Sequence, residues 1–214
     1  QARFQWTRSQ WKTTLDTSLP SEAYEIHSSR GGVEIVHGEA GYERAEATVK
    51  QWMLRAPKGF RLPWGKLVDQ PVFGHRGVLL DVGRHFFPKA VIERQLDLMH
   101  LYKFNVLHLH LTEDQGWRMA VEDWPKLTEV GAWRKYERES ATIGKDSIYG
   151  GYYSRAELED LVRYADSLGI VIIPEIEIPG HSRAAIAAYP ELSCTGQAME
   201  VPTRWGVFED IICA

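Results

Sequence analysis

The sequence predicts an α/β protein built on parallel strands, because three aliphatic segments alternate with two amphipathic helices. The strand segments are residues 77–82, 105–111 and 170–177, and the helical segments are residues 88–102 and 154–169. Parallel strands need a crossover connection, usually a helix, so this alternation indicates a parallel sheet. Polar residues inside the strands, such as His108 and Glu175, suit a barrel interior better than a sheet covered by helices on both faces. We therefore expect the first three strands of a (β/α)8 TIM barrel.

The N-terminal part of the chain predicts a smaller α+β unit. Two short alternating runs, at residues 24–27 and 33–36, flank a glycine-containing loop and indicate a β-hairpin. Residues 41–54 place apolar side chains at helical spacing. Two strands and one helix bury little surface by themselves, so this unit must pack on further structure.

Two stretches of the N-terminal part carry no predicted strand or helix. Residues 1–20 lack periodicity, and residues 55–74 contain several prolines and glycines, which is typical of a connector. The chain is therefore predicted to divide into a partial α+β domain at residues 1–70 and the N-terminal portion of the barrel at residues 71–214.

Composition argues against two classes of partner. The net charge of −4 and the pI near 6.1 give no electrostatic reason to expect nucleic acid. No apolar run approaches the roughly 20 residues that span a bilayer, so no membrane span is expected. The two cysteines, Cys194 and Cys213, either form one disulfide in an oxidising compartment or remain buried thiols, and we expect free thiols.

Titratable residues follow each predicted barrel strand. They are Asp81, Arg84 and His85, then Glu113, Asp114 and Arg118, then Glu175, Glu177 and His181. In a barrel these residues converge on the C-terminal face, where active sites lie. The alternative is an interior ion-pair network among Asp81, Arg84, His108, His110, Glu175 and Glu177, which is the structural interpretation of those six. Asp114 and His181 lie beyond strand ends next to glycines, which favours a functional role.

The two histidines of the second strand raise a separate possibility. His108 and His110 share one face and could supply half of a metal site, as in metal-dependent barrel hydrolases. A catalytic metal needs about three protein ligands, and a packed barrel strand explains the alternation equally well. We therefore expect no metal and no cofactor.

Three motifs of the sequence resemble a known family. They are R-G-V-L-L-D-V-G-R-H-F-F at residues 76–87, H-L-H-L-T-E-D-Q-G-W-R at residues 108–118, and P-E-I-E-I-P-G-H at residues 174–181. In this order and spacing they resemble the first three strands of glycoside hydrolase family 20, the β-N-acetylhexosaminidases. Residues 1–70 are similar to the later part of that family's α+β accessory domain.

The resemblance implies hydrolysis of terminal β-linked N-acetylglucosamine or N-acetylgalactosamine with retention of configuration. In that family the substrate's own 2-acetamido oxygen is the nucleophile and forms an oxazolinium intermediate, which departs from the scheme with two protein carboxylates. An Asp-Glu pair after Gly-Gly assists it, but this sequence contains only the reverse order, at residues 113–114, 122–123, 159–160 and 209–210. We therefore expect a fragment that ends before the catalytic pair, is inactive in isolation, and takes a second chain as a candidate partner to complete the barrel.

Residue by residue, the resemblance carries over to few positions. Arg76 matches the arginine that binds the 3- and 4-hydroxyls of the terminal sugar. Asp114 and His181 match a relay that hydrogen-bonds to the catalytic glutamate and sets its protonation. Glu113 stands where aspartate is more often seen, and Arg118 is assigned a structural role.

The predicted function is thus that of a secreted or periplasmic exo-β-N-acetylhexosaminidase. Its predicted partners are N-acetylhexosamine-terminated glycans. The rival hypothesis is a non-catalytic carbohydrate-binding or assembly remnant that retains Arg76 but no acid. A metal-dependent barrel hydrolase that uses His108 and His110 is the third alternative.

Overall fold

A computed structural model describes residues 11–29, 32–55, 64–135 and 147–213. Two compact units divide these residues: the first draws on residues 1–76, 97–105 and 168–170, and the second on residues 77–96, 106–167 and 171–214. The predicted hairpin loop at residues 30–31 and part of the predicted connector, residues 56–63, lie outside the described residues, as do residues 1–10, 136–146 and 214.

The first unit is a four-stranded sheet with one helix. Its elements are β1 (Trp11–Leu15), β2 (Tyr24–Ser29), β3 (Gly32–His37), α1 (Gly41–Arg55) and β4 (Gly65–Asp69). The predicted hairpin is the antiparallel pair of β2 and β3, and the predicted helix is α1. Alternate residues of the hairpin, including Tyr24, Ile26 and Ile35, are buried and pack with Ala45 and Val49 of α1. The period-two and helical patterns predicted β2, β3 and α1 correctly because one face of each element is buried.

The outer strands of this sheet contradict the prediction that residues 1–20 and 55–74 hold no regular element. The strand order is β1-β3-β2-β4, so β1 and β4 lie at the two edges. Four of the five residues of β1 are exposed, and none of the five residues of β4 is buried. An edge strand with little burial carries no period-two hydrophobic pattern, which is why the sequence did not indicate either strand.

The second unit holds the predicted parallel strands. Its elements in chain order are β5 (Gly77–Asp81), α2 (Lys89–Leu101, of which residues 97–101 belong to the first unit), β6 (Val106–His110), β7 (Thr112–Glu113), β8 (Gly116–Trp117), α3 (Lys126–Glu129), β9 (Trp133–Lys135), β10 (Ile148–Gly150), α4 (Arg155–Asp166), β11 (Val171–Glu175) and α5 (Arg183–Ala188). The sheet order is β11-β6-β5, and both pairings are parallel. The parallel β-α-β alternation is therefore confirmed.

Local sequence signals fix the ends of the crossover helices. Pro88 stands immediately before α2, a position where its missing N–H costs nothing. Ser154 caps α4 and forms the predicted capping box with Glu157, in which each side chain accepts from the other residue's backbone N–H. Gly169 follows α4 with a φ of 67°, a left-handed conformation that favours glycine.

The chain near its C-terminus corrects the expectation of free thiols. Cys194 and Cys213 form a disulfide. They are 19 residues apart in sequence, but a β-bridge between Ser193 and Ile212 brings their Cα atoms to 4.8 Å. Sequence separation alone could not reveal this pairing.

Within residues 11–29, 32–55, 64–135 and 147–213, none of the helices combines the length and the apolar character that crossing a bilayer requires.

Candidate active site

Strand register places three titratable residues side by side at the C-terminal ends of the parallel strands. His110 of β6 pairs with Asp81 of β5 on one side and with Glu175 of β11 on the other. His110 Nδ1 lies 3.9 Å from Asp81 Oδ1 and 3.8 Å from Glu175 Oε2. Two residues earlier on β6, His108 Nε2 lies 2.8 Å from Glu175 Oε2. The aliphatic residues that alternate with these histidines are buried on the other face of β6.

Arg84 extends this row beyond the end of β5. Its backbone N–H donates to Asp81 Oδ1 at 2.9 Å, and its Nη1 donates to Asp81 Oδ2 at 2.6 Å. Its Nη2 forms an ion pair with Glu113. Arg84 thus pairs with Asp81, another member of the predicted interior network, and with Glu113 in the loop after β6.

The charge on Arg84 is secured by its neighbours. Desolvation opposes the charged form, but the hydrogen bond to Asp81 and the nearby Glu113 carboxylate outweigh it and raise the pKa of Arg84. About a third of the side chain, 33%, stays exposed. The guanidinium is thus a fixed cation that a ligand can still reach.

Glu113, Asp114 and His181 form a second cluster next to Arg84. Both carboxylate residues are 1% exposed, whereas the His181 side chain is 40% exposed. His181 Nδ1 lies 3.1 Å from Glu113 Oε1 and 3.4 Å from Asp114 Oδ2. The backbone N–H of Arg183 donates to Asp114 Oδ1 at 3.1 Å, which fixes that carboxylate from the other side. The predicted pair Asp114 and His181 is therefore brought together.

Glu113 and His181 lie close together but are not aligned for a hydrogen bond. Glu113 Oε1 and His181 Nδ1 are buried atoms that find no well-aligned hydrogen-bond partner among the described residues, despite their short separation. The distances show proximity, and the angles show that the hydrogen bond is not yet formed. Catalytic hydrogen bonds are often loose before a ligand binds and tighten in the complex. His181 also adopts a φ of 51°, which is uncommon outside glycine and points to a functional constraint.

Burial sets the protonation of the inner carboxylate. Desolvation raises the pKa of Glu113, and the Asp114 N–H, Arg84 and His181 only partly offset it. Burial thus raises the pKa of Glu113 although the side chain touches a guanidinium and an imidazole. A carboxyl group with such opposing influences on its pKa is typical of functional sites.

Arg118 holds the backbone that carries these residues. It is fully buried, and its guanidinium donates to the carbonyls of Val82 (2.9 Å), Gly83 (2.9 Å), Ala132 (2.6 Å) and Gly151 (3.0 Å). Desolvation, with a smaller contribution from Arg134, lowers the pKa of Arg118 to about 10, so the group remains charged at neutral pH. Arg118 thus connects the loop after β5 to the residues between β6 and α4, which agrees with the structural role predicted for it.

Two glycines make room for this arrangement. A Cβ added at Gly116 would lie 2.1 Å from Arg118 Nη2, and one added at Gly83 would lie 2.9 Å from Glu113 Cβ. Any side chain at Gly116 would displace the guanidinium. The glycine in the Q-G-W-R motif is therefore required by the close approach of Arg118.

Two groups of residues have the spacing of metal ligands. They are His110 with Glu175 and Glu177, and Glu113 with Asp114 and His181. In the first group Glu175 is already engaged by His108, and in the second the Arg84 guanidinium occupies the position of a cation beside Glu113. His108 belongs to neither group. Because His108 and His110 do not occur together in either group, the hydrolase that uses a metal at His108 and His110 gains no support from the geometry.

Arg76 is placed away from the C-terminal strand ends. It immediately precedes β5, and its Nη1 and Nη2 donate to the two oxygens of Glu22 at 2.9 and 2.6 Å. Its Nε donates to the Lys103 carbonyl at 2.7 Å, and Nη1 also donates to the Phe73 carbonyl at 2.6 Å. The donors that would bind sugar hydroxyls are therefore engaged within the first unit. The predicted role of Arg76 stays a prediction. Arg84 is also paired, with Asp81 and Glu113, but it lies at the C-terminal strand ends and its side chain is 33% exposed, against 16% for Arg76.

Arg84 and Glu113 are among the strand-end residues named from the sequence, but the sequence assigned neither of them a binding or catalytic role. The available signal was their position, because both follow the C-terminal end of a parallel strand, as Asp114 and His181 do. Arg76 precedes its strand, and the same rule would have placed it at the opposite end.

The parallel β-α-β order and the polar strand ends define an α/β protein of the (β/α)8-barrel class with a site at the C-terminal face. Residues 73–214 match the family model described as glycosyl hydrolase family 20, catalytic domain. The chain belongs to glycosyl hydrolase family 20, and the TIM-barrel prediction is confirmed.

Individual relatives agree with the family match. The chain is 38% identical over 210 residues to a β-hexosaminidase of Porphyromonas gingivalis, which covers 94% of this chain and 26% of the relative. It is similar to a crystal structure of a β-N-acetylhexosaminidase, with a TM-score of 0.83, 36% identity, and coverage of 95% of this chain and 43% of that one. It is also similar to a mutant Streptomyces plicatus β-hexosaminidase in complex with its product GlcNAc, with a TM-score of 0.82, 35% identity, and coverage of 95% and 41%. The chain thus spans less than half the length of these relatives.

Proposed function

We propose that the protein containing this chain is an exo-β-N-acetylhexosaminidase that removes terminal β-linked GlcNAc or GalNAc from glycans. The proposal rests on one observation: the side chains of Arg84, Glu113, Asp114 and His181 form a cluster at the C-terminal strand ends. Membership of family 20 and the relatives' names, which include β-hexosaminidase and N,N'-diacetylchitobiase of Vibrio harveyi, support this reaction class.

Arg84 is the proposed anchor of the terminal sugar. Its guanidinium is planar and presents several donors in a fixed fork, which suits a pair of neighbouring hydroxyl oxygens. Asp81 and Glu113 hold it from two sides, so little side-chain entropy is lost when a sugar binds. In this proposal Arg84 takes the role that the sequence motif suggested for Arg76.

Asp114 and His181 are proposed to act together as a relay. The Nδ1 edge of the His181 ring faces the buried side chains of Glu113 and Asp114, which set the orientation of the ring. The half-exposed outer edge of the imidazole is then available to hydrogen-bond a catalytic carboxylic acid and to modulate its pKa. His181 would thus be a positioning residue for an acid that this sequence of 214 residues does not contain as a Gly-Gly-Asp-Glu motif.

The proposed chemistry is retaining and substrate-assisted. The acetamido carbonyl oxygen of the substrate attacks C1, the bond from C1 to the leaving oxygen breaks, and the carboxylic acid gives its proton to that oxygen. Water, deprotonated by the resulting carboxylate, then opens the oxazolinium at C1 and restores the acid. The residues of this chain bind the sugar and set the proton affinity of the acid, and they exchange no bond with the substrate.

Hydrolysis of two chromogenic substrates tests this proposal. The full-length protein should release nitrophenol from 4-nitrophenyl N-acetyl-β-D-glucosaminide, but not measurably from 4-nitrophenyl β-D-glucoside, because the latter lacks the internal nucleophile. Equal rates on both substrates would contradict the substrate-assisted mechanism. GlcNAc binding without hydrolysis of either would support the rival, a non-catalytic carbohydrate-binding protein.

We further propose that the protein acts in the periplasm or outside the cell. The Cys194–Cys213 disulfide supports this, because disulfides persist mainly in oxidising compartments. Cell fractionation should find the protein in the periplasm or the medium, and its recovery from the cytosol with reduced cysteines would refute the proposal. A second chain that completes the barrel stays a prediction, which a mass measurement of the native protein tests.

A further inference from the structure

The disulfide closes a long loop beside the candidate active site. We call residues 194–213 the disulfide loop. Its base is fixed by the Cys194–Cys213 bond and by a hydrogen bond from the Ile212 N–H to the Pro179 carbonyl at 2.9 Å. Pro179 lies two residues before His181, so the base of the loop is anchored on the segment that carries the relay imidazole.

The middle of the disulfide loop is anchored on the other side of the relay. Gln115 Nε2 donates to the Arg204 carbonyl at 3.2 Å, and Gln115 directly follows Asp114. Arg183 Nη1 lies 3.3 Å from Asp210 Oδ2, while the Arg183 backbone N–H donates to Asp114. The loop is thus connected twice to the neighbours of Asp114.

The disulfide loop carries two aromatic residues in different surroundings, Phe208 and Trp205. The Phe208 ring lies 4.8 Å from the Arg183 guanidinium carbon and 5.2 Å from that of Arg204, both as cation–π pairs. Trp205, by contrast, is 64% exposed. Phe208 thus packs within the disulfide loop, whereas Trp205 is exposed to solvent. Trp205 directly follows Arg204, whose carbonyl accepts from Gln115.

We propose that Trp205 is a platform for the sugar unit on the leaving-group side of the scissile bond. This inference rests on the proposed glycosidase function. An indole face matches the flat apolar face of a pyranose ring, and a ring held on a tethered loop loses little entropy on stacking. The terminal sugar is assigned to the polar cluster around Arg84, so an exposed ring one residue from the Gln115 contact is suited to the next sugar along the chain.

The test compares two substrates of the full-length protein that differ only in the leaving group. They are the β-1,4-linked N-acetylglucosamine disaccharide, which reaches the proposed platform, and methyl N-acetyl-β-D-glucosaminide, whose methyl group does not. Trp205→Ala should lower kcat/KM for the disaccharide about tenfold, mainly through KM, and leave the methyl glycoside within about twofold. Trp205→Phe should restore most of the loss, because it keeps an aromatic face.

Val207→Ala is the matched control, since Val207 lies in the same loop and is 91% exposed. It should leave both substrates unchanged. The inference is overturned if Trp205→Ala leaves the disaccharide unaffected, or if it lowers both substrates equally together with Tm, which would mean that Trp205 packs against another part of the protein. A wild-type protein that hydrolyses neither substrate would refute the proposed function instead. Calorimetric binding of the disaccharide would then test the platform, because Trp205→Ala should bind it more weakly than wild type does.

Discussion

At the scale of single residues, Glu113 is the group with the most conflicting surroundings. Burial favours its neutral form, while Arg84 and His181 on either side favour the carboxylate. Because the net effect raises the pKa, the folded protein binds a proton at Glu113 more tightly than the unfolded chain does. Such a residue contributes less stability as it ionises, and its retention beside the relay is consistent with a functional role.

Thermal unfolding against pH tests this electrostatic account of Glu113. Below its ordinary pKa of 4.5, Glu113 is protonated in both the folded and the unfolded protein. As pH rises from 4.5 through the raised folded pKa, the unfolded chain loses its proton first, so stability falls. Relative to Glu113→Gln, which cannot ionise, wild-type Tm should therefore decline across the range just above pH 4.5.

Glu129→Gln is the control, because Glu129 is exposed in the same unit and should show no such trend. A wild-type Tm that rises relative to Glu113→Gln over this range would contradict the raised pKa.

Single residues also show what sequence reasoning could reach at the site. Asp114 and His181 were predictable because both follow a strand end next to glycine, and the structure brings them together. The assignment of Arg76 followed the position of an arginine in a motif that contains a second one, Arg84. Their positions before and after β5 distinguish the two, and so do the ion pairs with Glu22 and Glu113, whose partners lie 54 and 29 residues away and do not appear in a local pattern.

At the scale of elements, the loops after β5 and β6 depend on one buried side chain. Arg118 supplies donors to four carbonyls that lie in separate segments between Val82 and Gly151. Of the four, the Ala132 carbonyl also accepts from the Gly151 N–H at 3.2 Å, so the carbonyls of Val82, Gly83 and Gly151 depend most on Arg118. The loops that carry Arg84 and Asp114 are therefore positioned by Arg118 more than by their own sequence.

Removing the Arg118 guanidinium should destabilise the protein strongly. Arg118→Met leaves several buried carbonyls without donors and should reduce the free energy of unfolding by about 3–5 kcal/mol. Arg118→Lys keeps the charge but offers three donors in place of five, so its cost should be intermediate. Chemical denaturation measures both.

Arg163→Met is the comparison variant, because Arg163 is 68% exposed in its side chain and pairs with Asp160 at the surface. It should change the free energy of unfolding by less than about 0.5 kcal/mol. An Arg118→Met variant as stable as Arg163→Met would show that other groups position these loops.

Element prediction succeeded where one face is buried and failed where it is not. The parallel strands, the central hairpin and the capping box at Ser154 and Glu157 all carry a signal in adjacent residues. The edge strands β1 and β4 carry none, because their side chains face solvent. The disulfide was not predictable for a different reason, since it depends on a bridge between Ser193 and Ile212.

At the scale of the whole molecule, the two arginines of the first motif belong to different units. Arg76 is engaged by Glu22 in the first unit, and Arg84 joins the titratable cluster of the second. The family match begins at residue 73 and therefore includes both. We propose that the sugar-binding half of the site is built on Arg84 at the C-terminal strand ends.

Steady-state kinetics of Arg84→Met and Arg76→Met in the full-length protein test that claim most directly. With 4-nitrophenyl N-acetyl-β-D-glucosaminide, Arg84→Met should lower kcat/KM by about 100-fold, because it removes charge-assisted hydrogen bonds to the sugar. Arg76→Met should lower Tm and leave kcat/KM of the folded protein within about threefold. The reverse pattern, with activity lost in Arg76→Met and kept in Arg84→Met, would contradict the account.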